Sequence, residues 1–195
     1  MVTDYYESAA VVTYPITLVE LKLWLRITHA TEDTLLNSLI TAATEKAELI
    51  TNRLFISRIV TGYFSGLECP KYEVGYFLAV RRAPVTAITT VKVMVDDVLT
   101  TVGATEYNLK HTGGFPRIVF EEVNDSPDDV PYPYQVAFTA GYGVAATVPE
   151  PIKTAIKEII AYWYQNRGDC GQQGGEVPAI ANGILQEYRI VNTFG

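Results

Sequence analysis

The sequence predicts an α+β fold in which helices from both ends of the chain form a small bundle and a β-rich region is inserted between them. Three observations carry this. Apolar residues recur at helical spacing over residues 15–54 and again over 148–190. Across 55–145 that period gives way to runs of β-branched and aromatic residues punctuated by Gly, Pro and Asp. The chain has 195 residues, 48% of them hydrophobic, which is room and material for one domain of ordinary size spanning 1–195.

The elements follow in order. Thr17 and Glu20 have the spacing of a capping box, in which hydroxyl and carboxylate satisfy free backbone N–H groups at a helix start. That helix runs through Leu18, Leu21, Leu23, Trp24 and Leu25, has Leu21, Trp24 and Leu25 as its apolar face, and stops near Thr28-His29. A second helix starts near Thr31, with Glu32 and Asp33 where the helix dipole favours anions, and ends near Asn52-Arg53. Its stripe is Leu35, Leu36, Leu39, Ile40, Ala43, Ala47 and Ile50. So few residues join the two that they should pack as a helical hairpin.

Strands are expected at 59–64, 77–80, 87–95, 98–100, 106–110, 117–120 and 134–139, with Asp96-Asp97 as a hairpin turn. Glu121 to Pro133 is acidic, contains three prolines and reads as an exposed loop. Pro149 and Pro151 suit the first turn of a third helix, where a missing N–H costs little. Its face is Ile152, Ile156, Ile159, Ile160 and Trp163, and it ends near Asn166-Arg167-Gly168. A Gly-rich connection (168–175) leads to Pro178 and a last short helix with Ile180, Ile184, Leu185 and Tyr188; the tail is 189–195.

Composition excludes several functions. Lys+Arg is 15 against 22 Asp+Glu, a net charge of −7, and the largest basic cluster is Arg81-Arg82. A protein that grips nucleic acid needs a basic stripe to displace phosphate counterions. No leader is expected, since the first basic residue is Lys22, and no stretch approaches the ~18 apolar residues of a membrane span. Cys69 and Cys170 form no metal-ligand spacing and suit a reducing cytoplasm.

The chemistry-bearing residues form no constellation. The two histidines, His29 and His111, lie in no HExxH pattern, and His29 at a helix end suits contact with free carbonyls. There is no GxSxG elbow for a serine nucleophile. Cys170 has no basic neighbour to lower its pKa. The acidic loop lacks the EF-hand order, and the Gly-rich segment lacks the P-loop lysine. No catalytic, cofactor or metal site is expected. What stands out is tyrosine, 13 residues against 7 Phe and 2 Trp. Tyr5, Tyr6, Tyr14, Tyr72, Tyr76, Tyr132 and Tyr134 fall in expected loops or termini. Two readings stay open: contact surface in an assembly, or the faces of β-sheets.

Four segments carry a further signal: Thr17 to Ile27 (TLVELKLWLRI); Glu32 to Leu36 with Ala42-Ala43 and Thr51-Asn52-Arg53; Leu78 to Val91 (LAVRRAPVTAITTV); and Phe138 to Gly143 (FTAGYG) running into Val148-Pro149 and Ile160 to Arg167 (IAYWYQNR). In this order they resemble the head–tail connector (adaptor, or head-completion) proteins of long-tailed bacteriophages and gene-transfer particles, over about residues 15–190. The resemblance implies a virion neck protein, present in the host cytoplasm during assembly. It implies a homo-oligomeric ring, expected to be a dodecamer, docked beneath the portal protein. Such a ring extends the DNA channel without binding DNA specifically and offers a platform to the next neck protein or stopper. No catalysis and no cofactor are implied. Residues 65–76 match no part of the family pattern, and the Gly-rich segment 168–175 is not diagnostic of it.

The final segment is the candidate interface. Ile184, Leu185, Glu187, Tyr188, Arg189, Ile190 and Val191 follow a Gly-rich hinge and carry more apolar surface than a short segment can bury alone. They are expected to dock on the portal or a neighbouring subunit; the alternative is that they close the helical bundle. Loops 65–76 and 121–133 are candidates for the lumen or the downstream partner. The rival readings are a stopper or tail terminator, a small phage enzyme and a DNA-binding packaging factor. Helical termini oppose the first, the missing catalytic groups the second and the charge balance the third.

Overall fold

A computed structural model of the chain describes residues 3–7, 13–68, 76–111, 115–120, 130–167 and 177–190. The fold is mixed α+β, with four α-helices and two antiparallel sheets among those residues. It divides into two compact units, a helical one drawn from Val11–Ile56 and Tyr142–Arg189 and a β unit drawn from Met1–Ala10, Ser57–Gly141 and Ile190–Gly195.

In the helical unit, α1 (Leu18–Leu25) starts on the capping box the sequence announces. The Thr17 N–H donates to Glu20 Oε2 at 2.7 Å, and the Glu20 N–H donates to Thr17 Oγ1 at 3.2 Å. The helix stops earlier than its pattern suggests. Arg26 adopts a left-handed conformation (φ 58°), and the Ile27 N–H reaches back to the Lys22 carbonyl at 2.9 Å, closing the last turn. Only Leu21 of α1 is buried, so Trp24, expected on the buried face, is instead 44% exposed.

Helix α2 (Asp33–Thr51) buries Leu36, Ile40, Ala43 and Ala47 and ends at Asn52, again left-handed (φ 56°), a conformation Asn tolerates. Two threonines on its buried stripe are satisfied within the helix: Thr44 Oγ1 donates to the Ile40 carbonyl at 2.7 Å and Thr51 Oγ1 to the Ala47 carbonyl at 2.8 Å. A short 3-10 turn (Ala145–Thr147) precedes α3 (Glu150–Gln165), which has Pro149 as its N-cap and buries Ile152, Ala155, Ile156, Ile159 and Ile160. Helix α4 (Ala179–Glu187) adds Ala181 and Leu185. These residues share one core with Ile16, Leu21 and Phe55. Each fully buried Leu or Ile there contributes about 1.5–3 kcal/mol relative to exposure.

The β unit holds β1 (Thr3–Glu7), β2 (Arg58–Phe64), β3 (Tyr76–Ala79), β4 (Val85–Val95), β5 (Val98–Thr101), β6 (Tyr107–Lys110), β7 (Arg117–Phe120) and β8 (Tyr134–Ala140). Five form a sheet in the order β1-β2-β8-β4-β5, and three form a second, β3-β7-β6. In β8 burial alternates along the strand, Tyr134, Val136, Phe138 and Ala140 facing inward, the period-2 signature of a half-buried strand. Asp96 and Asp97 join β4 to β5 with positive φ at both positions (51° and 61°), the geometry that matches strand twist in a two-residue hairpin. The register of β4 against β8 shifts between Val85 and Ala87 and between Ile88 and Thr90.

Strand β1 was not expected. It is seated by Tyr5, whose ring meets Phe64 and Phe138 edge-on at 6.2 and 6.4 Å. Tyr5 and Tyr134 are therefore strand residues of the β unit and not free loop tyrosines. Tyr6, Tyr76 and Tyr132 do remain exposed. Tyr72, Cys69, Cys170, most of the acidic loop and the Gly-rich segment lie outside the described residues.

Candidate functional site

The segment singled out at the C-terminal end begins on α4. Leu185 is fully buried in the helical core, with Ile184 and Tyr188 packed against it half-buried. The Tyr188 carbonyl accepts from Arg53 Nε at 2.6 Å, and the Arg53 guanidinium lies 5.9 Å from the Tyr142 ring. Burial pushes the Tyr142 hydroxyl above its ordinary value against the opposing pull of Arg53. Ile190 belongs to the other unit, where it is buried with Ala83 and Phe115. Leu185 and Ile190 are thus used inside the chain, and Ile184 and Tyr188 in part. Glu187 and Arg189 are exposed, and Val191 lies outside the described residues. The Arg189 N–H closes onto the Gln186 carbonyl at 3.2 Å, and Gln186 Nε2 donates to Asn182 Oδ1 at 3.2 Å, while Ile180 near the start of α4 is 72% exposed.

The ionisable groups of the helical unit serve its architecture. Lys22 Nζ pairs with Asp33 Oδ1 at 2.7 Å, tying α1 to the start of α2. Buried Lys153 is answered by Glu150 Oε1 at 2.7 Å. His29 lies beyond the end of α1; its Nδ1 faces Thr31 Oγ1 at 2.8 Å and its Nε2 lies 4.0 Å from Glu32, so side chains rather than carbonyls are its neighbours. The carboxyl of Glu20 is held below its ordinary value by the Thr17 backbone and side-chain hydrogen bonds. Among the described residues no group of three or more His, Cys, Asp or Glu could hold a metal ion, and no helix is long and apolar enough to cross a membrane.

Two surface features escaped the sequence reading. On α1, Val19 and Leu23 stand one turn apart and are 68% and 75% exposed, with Arg26 one further step along. Trp24 sits beside them under the Lys157 ammonium, 5.5 Å from the ring centre. On α2, Ala42, Glu45 and Leu49 share the face opposite the buried stripe. With Lys46 and Trp163 they line a shallow groove of about 430 Å³, and Leu49 is 70% exposed. The signal was present: LVELKLWL is apolar on more than one face, which is more than a helix needs for one core.

Comparison with known proteins places the chain in a family. Residues 15–191 match the family model described as head completion protein. No curated protein sequence matches the chain. Among solved structures the fold is similar to a chain in the neck of an empty gene transfer agent particle computed with C6 symmetry, at 23% identity and a TM-score of 0.80, covering 98% of both chains. It is similar to a chain in the virion of a native gene transfer agent particle, at 22% identity and a TM-score of 0.75, covering 98% of this chain and 97% of that one. A third likeness, at 23% identity and a TM-score of 0.71, is to the neck of the native particle computed with C12 symmetry, covering 98% of each chain.

Proposed function

The chain belongs to the head completion protein family, and from that premise we propose that it is a structural protein of the virion neck, an adaptor ring rather than an enzyme. The observation that carries this reading is the end-to-end likeness of fold to a neck protein, 98% of each chain at a TM-score of 0.80. In this reading 1–195 works as one connector module. Its four helices form the small bundle that the sequence suggests, and the β unit is the insertion.

The ring docks beneath the portal, extends the DNA channel and presents a platform to the next neck or tail protein. A net charge of −7 per copy suits a wall that DNA slides past. Because Ile184, Leu185, Tyr188 and Ile190 are engaged within the chain, docking by this segment falls to Glu187, Arg189 and the residues that follow, Val191 included.

Light scattering of the protein alone and mixed with portal rings tests the reading. The expected result is the mass of a whole ring added to the portal. A protein that never associates with portal rings ends it. Glu187→Ala with Arg189→Ala should weaken portal binding at unchanged melting temperature; full binding by that variant removes the segment from the portal face.

A further inference from the structure

We propose that the helical unit carries both halves of the joint between neighbouring copies: the α1 ridge of Val19 and Leu23, with Arg26 at its end, seats in the α2 groove of Ala42, Glu45, Leu49 and Trp163 on the next copy. This rests on the ring reading above and names the surfaces that build the ring.

A closed ring needs a heterologous interface, two different and complementary patches on each subunit. The helical unit has such a pair. The ridge is convex, with two aliphatic side chains one helical turn apart that are 68% and 75% exposed. The groove is shallow and open, apolar at Ala42, Leu49 and Trp163 and charged at Glu45 and Lys46, with a volume of about 430 Å³. Ridge and groove do not satisfy each other within a copy, because Leu23 and Leu49 both stand exposed. A contiguous apolar patch rimmed by polar residues marks a contact surface, and Val19 and Leu23 adjoin one another on α1.

Charge makes the match specific. Arg26, the left-handed C-cap of α1, stands three residues beyond Leu23, and Glu45 stands four before Leu49 with Lys46 also lining the groove, so the ridge ends in a cation and the groove offers it one carboxylate. Neither the Arg26 nor the Glu45 side chain has an ion-pair partner among the described residues. Seating the ridge in the groove brings the two together at the rim, where such a pair fixes register and excludes wrong partners.

The test uses the full chain, with and without portal rings, and reads mass by light scattering. Leu23→Asp breaks the ridge and keeps the groove; Leu49→Asp does the reverse. Each alone should stay monomeric and add no ring mass to the portal, with a melting temperature near that of the parent because both positions are exposed. Mixed in equal amounts, the two variants have one intact joint between them and should form a dimer that goes no further. Arg26→Glu and Glu45→Arg should each weaken assembly at least tenfold, and the double variant should recover most of that loss. Rings of parental size from both Asp variants, or a double charge swap no better than the singles, overturn the proposal while leaving the ring reading intact. A parent protein that adds no mass to portal rings overturns the ring reading and this proposal with it.

Discussion

Glu32 and Arg167 stand 135 residues apart in the chain and 2.9 Å apart in space. Glu32 precedes α2 and Arg167 follows α3, so their ion pair fastens the start of one helix to the end of the other. The Tyr164 hydroxyl donates to the second carboxylate oxygen, and the Arg167 guanidinium lies 4.1 Å from the Tyr164 ring centre. The hydrogen bonds from Tyr164 and then Arg167 hold the Glu32 carboxyl below its ordinary value of 4.5, and the same bond to Glu32 holds the Tyr164 hydroxyl above its own.

Glu32→Gln should therefore lower the melting temperature at neutral pH. A carboxyl whose folded pKa is depressed stabilises the fold above its unfolded pKa, and that contribution is lost as pH falls through the folded value. The gap between parent and variant should close in acid. Thermal melts at the two pH values check it, and equal melting at neutral pH would show that the clamp adds nothing.

Gly62 in β2 has no room for a side chain. A Cβ there would lie 2.8 Å from Phe64 Cε2 and 3.1 Å from Tyr5 Cε1. Phe64 is fully buried and cannot move aside. Gly62→Val should cost about 1–3 kcal/mol in a urea melt, the usual range for overpacking, and should loosen β1 first. Amide exchange faster at Tyr5 and Tyr6 than in β8 is the expected signature.

Burial pushes the Tyr5 hydroxyl up to about 12, against a backbone hydrogen bond from Arg81 and the charges of Arg82 and Arg81. The folded state holds this proton longer than the unfolded chain does. The stability it contributes is complete below the ordinary tyrosine value of 10.0 and is lost as pH rises from there to about 12. Tyr5→Phe keeps the ring but leaves the Arg81 N–H without its 2.7 Å acceptor, at a cost of about 1 kcal/mol. The variant should lose the latest-titrating tyrosinate signal; a parent protein whose tyrosines all ionise together near 10 contradicts the buried seat.

Helix α1 is short and fully buries only Leu21, with Leu18 and Leu25 half-buried and Lys22 paired to Asp33, so the cap matters more here than on α2 or α3. Thr17→Ala removes the Oγ1 acceptor of the Glu20 N–H, keeps the backbone N–H bond to Glu20 Oε2, and should cost about 1 kcal/mol. Amide exchange should rise across Leu18–Leu25 while α2 and α3 stay protected. If the α1 ridge builds the joint between copies, this variant should also assemble more weakly.

Most of the secondary structure was legible because its signals are local. The capping box, the prolines opening α3, the Asp96-Asp97 turn and the alternation in β8 each depend on a few neighbouring residues. What was not legible depends on partners far along the chain. The sequence of β1 has no apolar alternation of its own, and its place comes from Gly62, Phe64 and Phe138. Trp24 has the spacing of a core residue, yet the left-handed turn at Arg26 ends α1 before a second turn can be buried. The C-terminal segment carries apolar residues that suit either docking on a partner or closing the bundle; Leu185 and Ile190 are buried within the chain, and composition alone does not separate the two readings. The α1 ridge lay hidden for the opposite reason, since leucine and valine in a helix read as core until burial is seen.

The route of the chain has a consequence for synthesis. It passes between the two units four times, so neither unit is one continuous stretch. Strand β1 is made before β2 and has to wait for it, and β2 has its other neighbour in β8, about seventy to eighty residues later. The helical core in turn waits for α3 and α4. Pairings so distant in sequence form late and slowly. A chain cut short anywhere before α4 therefore lacks Ala181 and Leu185 and has no finished core in the helical unit.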